Sequence, residues 1–200
     1  MSMQTLPIDP LLPELRRTLT HQCNAVLQAA PGAGKTTRVP LALQDAPWLQ
    51  NRKIIMLEPR RLAARAAARY MAASLGERVG ETVGYRVHLE NRVGPATRIE
   101  VVTEGILARM LQQDPTLEAA GLEIVDEFQE RSLAGDRGLA LCLDSQSALR
   151  EDLRLLLMSA TLDGDAVAQL LGGAPLLSSA GRSFPVTQHY RPVQAHFARE

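Results

Sequence analysis

"NAVLQAAPGAGKTTRVPLALQ", residues 24–44, decides the fold. Residues 24–30 read as a strand buried on both faces. Pro31, Gly32, Ala33 and Gly34 interrupt it, and a helical stretch runs from Gly34 to about Gln44. Two glycines so placed let successive backbone N–H groups turn toward one point and wrap an anion. The helix that follows adds its positive N-terminal end at the same point.

The stretch 29–37, "AAPGAGKTT", fits the phosphate-loop pattern, except that Ala29 stands where the first glycine usually does. On this reading Ala30, Pro31, Gly32, Ala33, Gly34, Lys35, Thr36 and Thr37 hold the phosphates of ATP. Lys35 reaches the β- and γ-phosphates, and Thr36 offers its hydroxyl to Mg²⁺. The alternative is a glycine-rich turn with an exposed lysine. The strand before it and the helix after it weigh against that.

Working outward, strands are expected at 53–58, 82–90, 98–103, 122–127 and 153–160. Helices are expected at 60–76, closed by Gly76, at 104–114, stopped by Asp114-Pro115, and at about 136–148. Beyond Gly172-Gly173 only 186–192 reads as a further strand. Near-continuous apolar strands alternating with helices give an α/β domain, a mostly parallel sheet with helices on both faces. Ligands of such sheets bind at the carboxyl ends of the strands.

Asp126 and Glu127 fall at one of those ends. A buried strand that ends in two carboxylates needs a cation, and a phosphate loop needs a second Mg²⁺ ligand on a neighbouring strand. Asp126 suits that role beside Thr36, and Glu127 suits activation of the water that attacks the γ-phosphate. A strand ending in Asp-Glu is common by itself; the phosphate loop makes it specific.

At this point the chain resembles a known family. "APGAGKTT", "EPRRLAARAAA", "VTEGILARML", "DEFQERS" and "MSATLD" stand in the order and spacing of the superfamily 2 DEAH-box helicases. The wording of 58–68 and 84–107 is similar to the bacterial HrpB-type members, and the resemblance spans about residues 10–192. It implies a first RecA-like P-loop NTPase domain over 24–185, a helical lead-in over 1–23, and the start of a linker over 186–200. A second RecA-like domain of the same parent chain would supply the opposite wall of the ATP site, including arginine fingers. Nothing here resembles the family's "QRxGRAGR" motif.

The resemblance further implies a single-stranded nucleic acid partner, RNA by the family's habit. Arg60 and Arg61 open a helix, and Thr103, Glu104 and Gly105 open another, where N–H groups can meet backbone phosphates. Taken alone, the two arginines would read as a solvated face and Thr103 as a plain N-cap. Arg86 matches a position near the nucleic-acid track, whereas Arg65 and Arg69 read as partners of carboxylates. Ser159, Ala160 and Thr161 match a segment that relays nucleotide state, although such residues also simply make turns. Gln129 is the departure, because the family usually has histidine there. Glutamine keeps the hydrogen bonds but cannot carry charge, so its part in catalysis and coupling is expected to differ.

Composition adds boundaries. The 200 residues are 46% hydrophobic and 22% charged with zero net charge, so no global basic field advertises nucleic acid. Only Lys35 and Lys53 are lysines among 22 cationic residues, a bias that a GC-rich genome produces without any function. Aromatics make up 4%, which favours backbone contacts over base stacking. Cys23 and Cys142 lack metal-ligand spacing, as do His21, His88, His189 and His196. No apolar run nears the roughly 18 residues of a membrane span, and the N-terminus lacks a signal-peptide pattern. A cytoplasmic chain with no membrane partner is expected. Two rival readings stay open: a P-loop ATPase of another class, and a nucleotide- and RNA-binding module without appreciable turnover.

Overall fold

A computed structural model describes residues 5–130, 132–160 and 164–179. The expected strand at 186–192, Thr161, His189, His196 and the linker at 186–200 lie outside the described residues.

The strands are β1 (Asn24–Ala29), β2 (Lys53–Leu57), β3 (Val83–Val87), β4 (Glu90–Arg92), β5 (Ile99–Val102), β6 (Ala120–Val125), β7 (Arg154–Ser159) and β8 (Leu176–Ser179). They form one sheet in the order β4-β3-β5-β2-β6-β7-β1-β8. Every pairing is parallel except β3 with β4. The helices are α1 (Leu12–His21), α2 (Lys35–Leu43), α3 (Arg61–Ser74), α4 (Glu104–Gln113), α5 (Leu133–Ala148) and α6 (Gly164–Leu170).

Side-chain alternation along the strands divides the core in two. Leu27, Ile54, Met56, Leu122, Ile124, Leu156 and Met158 pack with Leu15 and Leu19 of α1, Val39 and Leu43 of α2, and Met71 of α3. Val26, Ile55, Leu57, Val125, Leu155 and Leu157 pack with Leu107 and Leu111 of α4, Leu139 and Cys142 of α5, and Val167 of α6. Helices therefore cover both faces, as the sequence requires of strands that are apolar all round.

The N-terminal segment does more than lead in. Ile8 is buried in the first core, and its N–H donates to the Ala33 carbonyl at 3.1 Å. Gly34 takes φ +98°, and a Cβ there would stand 2.7 Å from Leu6 Cδ1. Residues 6–8 thus press on the back of the glycine loop, and only glycine fits both the backbone angle and the space.

Four elements differ from expectation, α6 being a helix where none was expected. The stretch 82–90 holds β3 and then turns at Leu89, with φ +64°, into antiparallel β4. Strand β8 pairs outside β1, and α5 starts at Leu133, where the Ser132 hydroxyl accepts the Gly135 N–H.

Candidate active site

Chain order and sheet order part company between β1 and β2. The chain leaves β1, crosses β7 and β6, and enters the sheet again at β2. The strand ends then present, in order, Arg86–His88 at the end of β3, Thr103 after β5, Glu58–Arg61 after β2, Asp126–Gln129 after β6, Ser159–Ala160 at the end of β7, and the glycine loop after β1. The candidate nucleotide residues are grouped on β6, β7 and β1. The candidate nucleic-acid residues are grouped on β3, β5 and β2.

Within the loop, Gly32 has φ +76°, so both glycines use the left-handed region that L side chains rarely adopt. Lys35 opens α2 and is buried at 4% exposure; its ammonium donates to the Ala29 carbonyl at 2.7 Å. The Thr36 hydroxyl donates to Asp126 Oδ2 at 2.5 Å. A hydroxyl and a carboxylate in contact are the hard oxygen donors that Mg²⁺ prefers. Asp126 Oδ1 also accepts the Glu127 N–H at 2.9 Å. Burial raises the Asp126 carboxyl to about 6, with the Thr36 and Glu127 hydrogen bonds pulling the other way. A divalent cation would reverse that balance, so the residues present fit one.

Glu127 adopts φ +51°, an unusual state for a residue with a Cβ. A short 3-10 turn, Phe128–Glu130, follows it. Gln129 sits at its centre, and its Oε1 accepts the Ser159 hydroxyl at 2.8 Å and the Ala160 N–H at 3.1 Å. A backbone N–H can only donate, so this bond fixes which end of the amide faces β7. The other end, Nε2, then donates to Glu127 Oε2. Gln129 therefore joins the Glu127 carboxylate to the end of β7.

On the other half of the edge, Arg60 pairs with Glu130, Nη2 to Oε1 at 2.5 Å and Nε to Oε2 at 3.2 Å. Arg61 donates to the His88 carbonyl at 3.1 Å. Thr103 stands at the N-cap of α4, but its side chain makes no capping bond. The carboxylate of Glu104 instead accepts the Ser132 hydroxyl, and Gly105 lies in the first turn of α4 with open space where a Cβ would stand. Arg86 donates to buried Glu100 at 2.9 Å, and Lys53 pairs with the same carboxylate. That burial makes Arg86 a partner of Glu100 first. Arg65 pairs with Glu90 at 2.7 Å, as expected of a helix-face arginine.

Glu58 was missed. It follows Leu57, the last residue of β2, and stands near Asp126, buried at 3% exposure. Burial and then the Asp126 charge push it up to about 8, Glu127 and Glu130 adding less, against the Arg60 backbone N–H. The signal was in "LEPRR", where a carboxylate ends an apolar run just as Asp126 does.

The sequence profile of the DEAD/DEAH box helicases matches residues 12–170. The chain is 55% identical to the ATP-dependent RNA helicase HrpB of Escherichia coli over 194 residues, 97% of this chain and 24% of that protein. It is 34% identical to the human ATP-dependent RNA helicase DHX30 over 192 residues, 92% of this chain and 16% of that protein. A crystal structure of the Escherichia coli DEAH/RHA helicase HrpB superposes with a TM-score of 0.89, covering 96% of this chain and 24% of that one. The chain thus spans a quarter or less of the length of these relatives, and its sheet has the RecA-like form found in that structure.

Proposed function

Since the chain belongs to the DEAD/DEAH box helicase family, we propose that it is the first RecA-like, ATP-binding domain of an HrpB-type RNA helicase. In the full-length parent, ATP hydrolysis would drive movement along RNA and unwinding. The observation that carries this reading is the contact between Thr36 and Asp126, with Lys35 in the loop on one side and Glu127 on the other. It joins a phosphate cradle, a pair of Mg²⁺ ligands and a base at one strand edge.

Residues 30–37 cradle the phosphates of ATP, with Lys35 set against their charge. Thr36 and Asp126 hold Mg²⁺, which when bound neutralises charge on the β- and γ-phosphates. Glu127 orients the attacking water and accepts its proton, and Gln129 fixes the Glu127 carboxylate. Ser159 and Ala160, joined to Gln129, carry the state of the nucleotide toward the rest of the protein, and Thr161 continues that segment. Arg60, Arg61 and the first turn of α4 at Thr103–Gly105 hold the phosphates of single-stranded RNA. Arg86 lies at the border of that surface. Residues 24–185 form this domain, 1–23 lead into it and 186–200 lead toward a second RecA-like domain, which supplies the far wall of the ATP site. No described helix is long and apolar enough to cross a membrane, and the free cysteines Cys23 and Cys142 suit the reducing cytoplasm.

Two tests follow. Lys35→Ala is expected to weaken Mg·ATP binding by roughly 10- to 100-fold, the worth of a charge-assisted contact. Calorimetry showing equal affinity for the variant and the parent sequence would reject the phosphate-loop assignment. Gln129→His should leave Mg·ATP affinity within a few-fold, since Gln129 touches Glu127 and β7 rather than Thr36 or Asp126. RNA-stimulated turnover of the full-length protein should change, because the bonds to Glu127 and Ala160 are replaced together. An unchanged turnover with lost nucleotide binding would put residue 129 on the Mg²⁺ instead.

A further inference from the structure

Glu130 touches neither Thr36 nor Asp126, yet it is bonded to both halves of the strand edge. Its carboxylate fills the guanidinium fork of Arg60 with two bonds, at 2.5 and 3.2 Å. Its N–H donates to the Glu127 carbonyl at 2.8 Å and closes the 3-10 turn. The same turn carries Gln129, whose amide holds the Glu127 carboxylate and the end of β7. Arg60 is thus tied through one residue and one backbone bond to Glu127.

The chemistry of the fork matters. A guanidinium offers the same planar pair of N–H groups to a carboxylate and to a phosphate, and serves one of them at a time. The Arg60 side chain is 71% exposed and that of Glu130 is 34% exposed. An ion pair this open is weak, because water screens it and two long side chains lose freedom. A buried pair would hold too tightly to exchange. This one is weak enough to yield to an arriving phosphate and oriented enough to transmit the exchange.

The receiving end is also suited to it. Glu127 sits at φ +51°, a backbone state that persists only where its surroundings impose it. The Glu130 N–H bond is one of those constraints, so displacement of Glu130 acts where the backbone has little slack.

We propose that Glu130 is a positioning residue that couples nucleic acid to hydrolysis. Without nucleic acid its carboxylate occupies Arg60 and holds the 127–130 turn in one arrangement. A backbone phosphate takes Arg60, Glu130 is released, and the turn resets the Glu127 carboxylate relative to the attacking water. The proposal rests on the reading that Arg60 binds nucleic-acid phosphate and Glu127 activates water.

The test uses the full-length protein, a fluorescein-labelled oligouridylate and steady-state ATP hydrolysis with and without that RNA. Glu130→Gln keeps the shape and removes the charged competitor. RNA affinity should rise roughly two- to fivefold, the factor that an exposed pair represents. The ratio of RNA-stimulated to basal kcat should fall, with KM for ATP unchanged. Arg60→Ala separates the premises: if it leaves RNA affinity unaltered, the assignment of Arg60 to phosphate fails. If Arg60→Ala weakens RNA binding but Glu130→Gln alters neither affinity nor the ratio, the coupling proposal fails and that assignment stands. The exchanged pair Arg60→Glu with Glu130→Arg restores the ion pair without restoring a phosphate site. It should recover thermal stability but not RNA affinity or stimulation. Recovery of all three would make the pair structural and overturn the proposal.

Discussion

Glu127→Gln is expected to slow ATP hydrolysis by about 10²- to 10⁴-fold, the usual contribution of a positioned general base. Mg·ATP affinity should stay within a few-fold of the parent. The two effects separate because the adjacent carboxylates face different groups. Asp126 accepts the Thr36 hydroxyl and the Glu127 N–H, which supports its proposed part as a Mg²⁺ ligand. Glu127 meets only the Gln129 amide among its described side-chain partners, so its carboxylate is available to a water. Glutamine keeps the size and can still meet Gln129, but it cannot take a proton. Asp126→Asn should show the opposite pattern, with Mg²⁺-dependent affinity lost first. Single-turnover hydrolysis with calorimetry on both variants decides the matter. An undiminished rate in Glu127→Gln would remove Glu127 from the role of base.

The parts of this site legible in the sequence are those whose chemistry is contiguous. The loop at 29–37 holds its glycines, lysine and threonine in one run, and Asp126-Glu127 stand together at a strand end. Strands β1, β2, β6 and β7 were legible because burial on both faces leaves them mostly apolar. Strand β8 was not, because it lies outside β1 with alternate exposure and reads as a short tail. The turn between β3 and β4 escaped because a leucine in the left-handed region gives no turn signal. The early start of α5 was hidden by Gly135, which argues against helix, although Ser132 gave the N-cap sign. Tertiary pairings were out of reach. Arg60 and Glu130 are 70 residues apart, and no periodicity reports such a bond. The same holds for Leu6 and Ile8 behind Gly34, where a contact adds to the backbone angle in requiring glycine.

Glu123 was present in "LEIV" as a charge inside an apolar strand, and its consequence is thermodynamic. Its side chain is fully buried, and its carboxylate meets no stronger donor than the weak Cys142 thiol. Burial raises the carboxyl from the usual 4.5 to about 7, and the Cys142 thiol opposes this only in part. The folded state therefore holds a proton that the unfolded chain releases. Below pH 4.5 both states are protonated and no ionisation penalty arises. Between pH 4.5 and 7 the unfolded chain ionises first, so stability falls as pH rises, by about 1.4 kcal/mol per pH unit. The loss reaches about 3 kcal/mol near pH 7 and then levels, as the folded carboxyl ionises as well. Glu123→Met, similar in size and without charge, should therefore stabilise the protein by about 3 kcal/mol at neutral pH, roughly 6–12 °C in Tm for a domain of this size. Glu123→Gln should lose the same pH dependence but gain less, because its amide remains buried without a partner. Glu58 and Asp126 are raised by burial too and give the parent protein slopes of the same sign. The decisive quantity is thus the difference in Tm between Glu123→Met and the parent from pH 4.5 to 8. It should start small, widen up to pH 7 and then hold constant. A difference independent of pH would show that Glu123 keeps its ordinary ionisation in the folded state. Destabilisation at neutral pH would show that its charge is met by a partner.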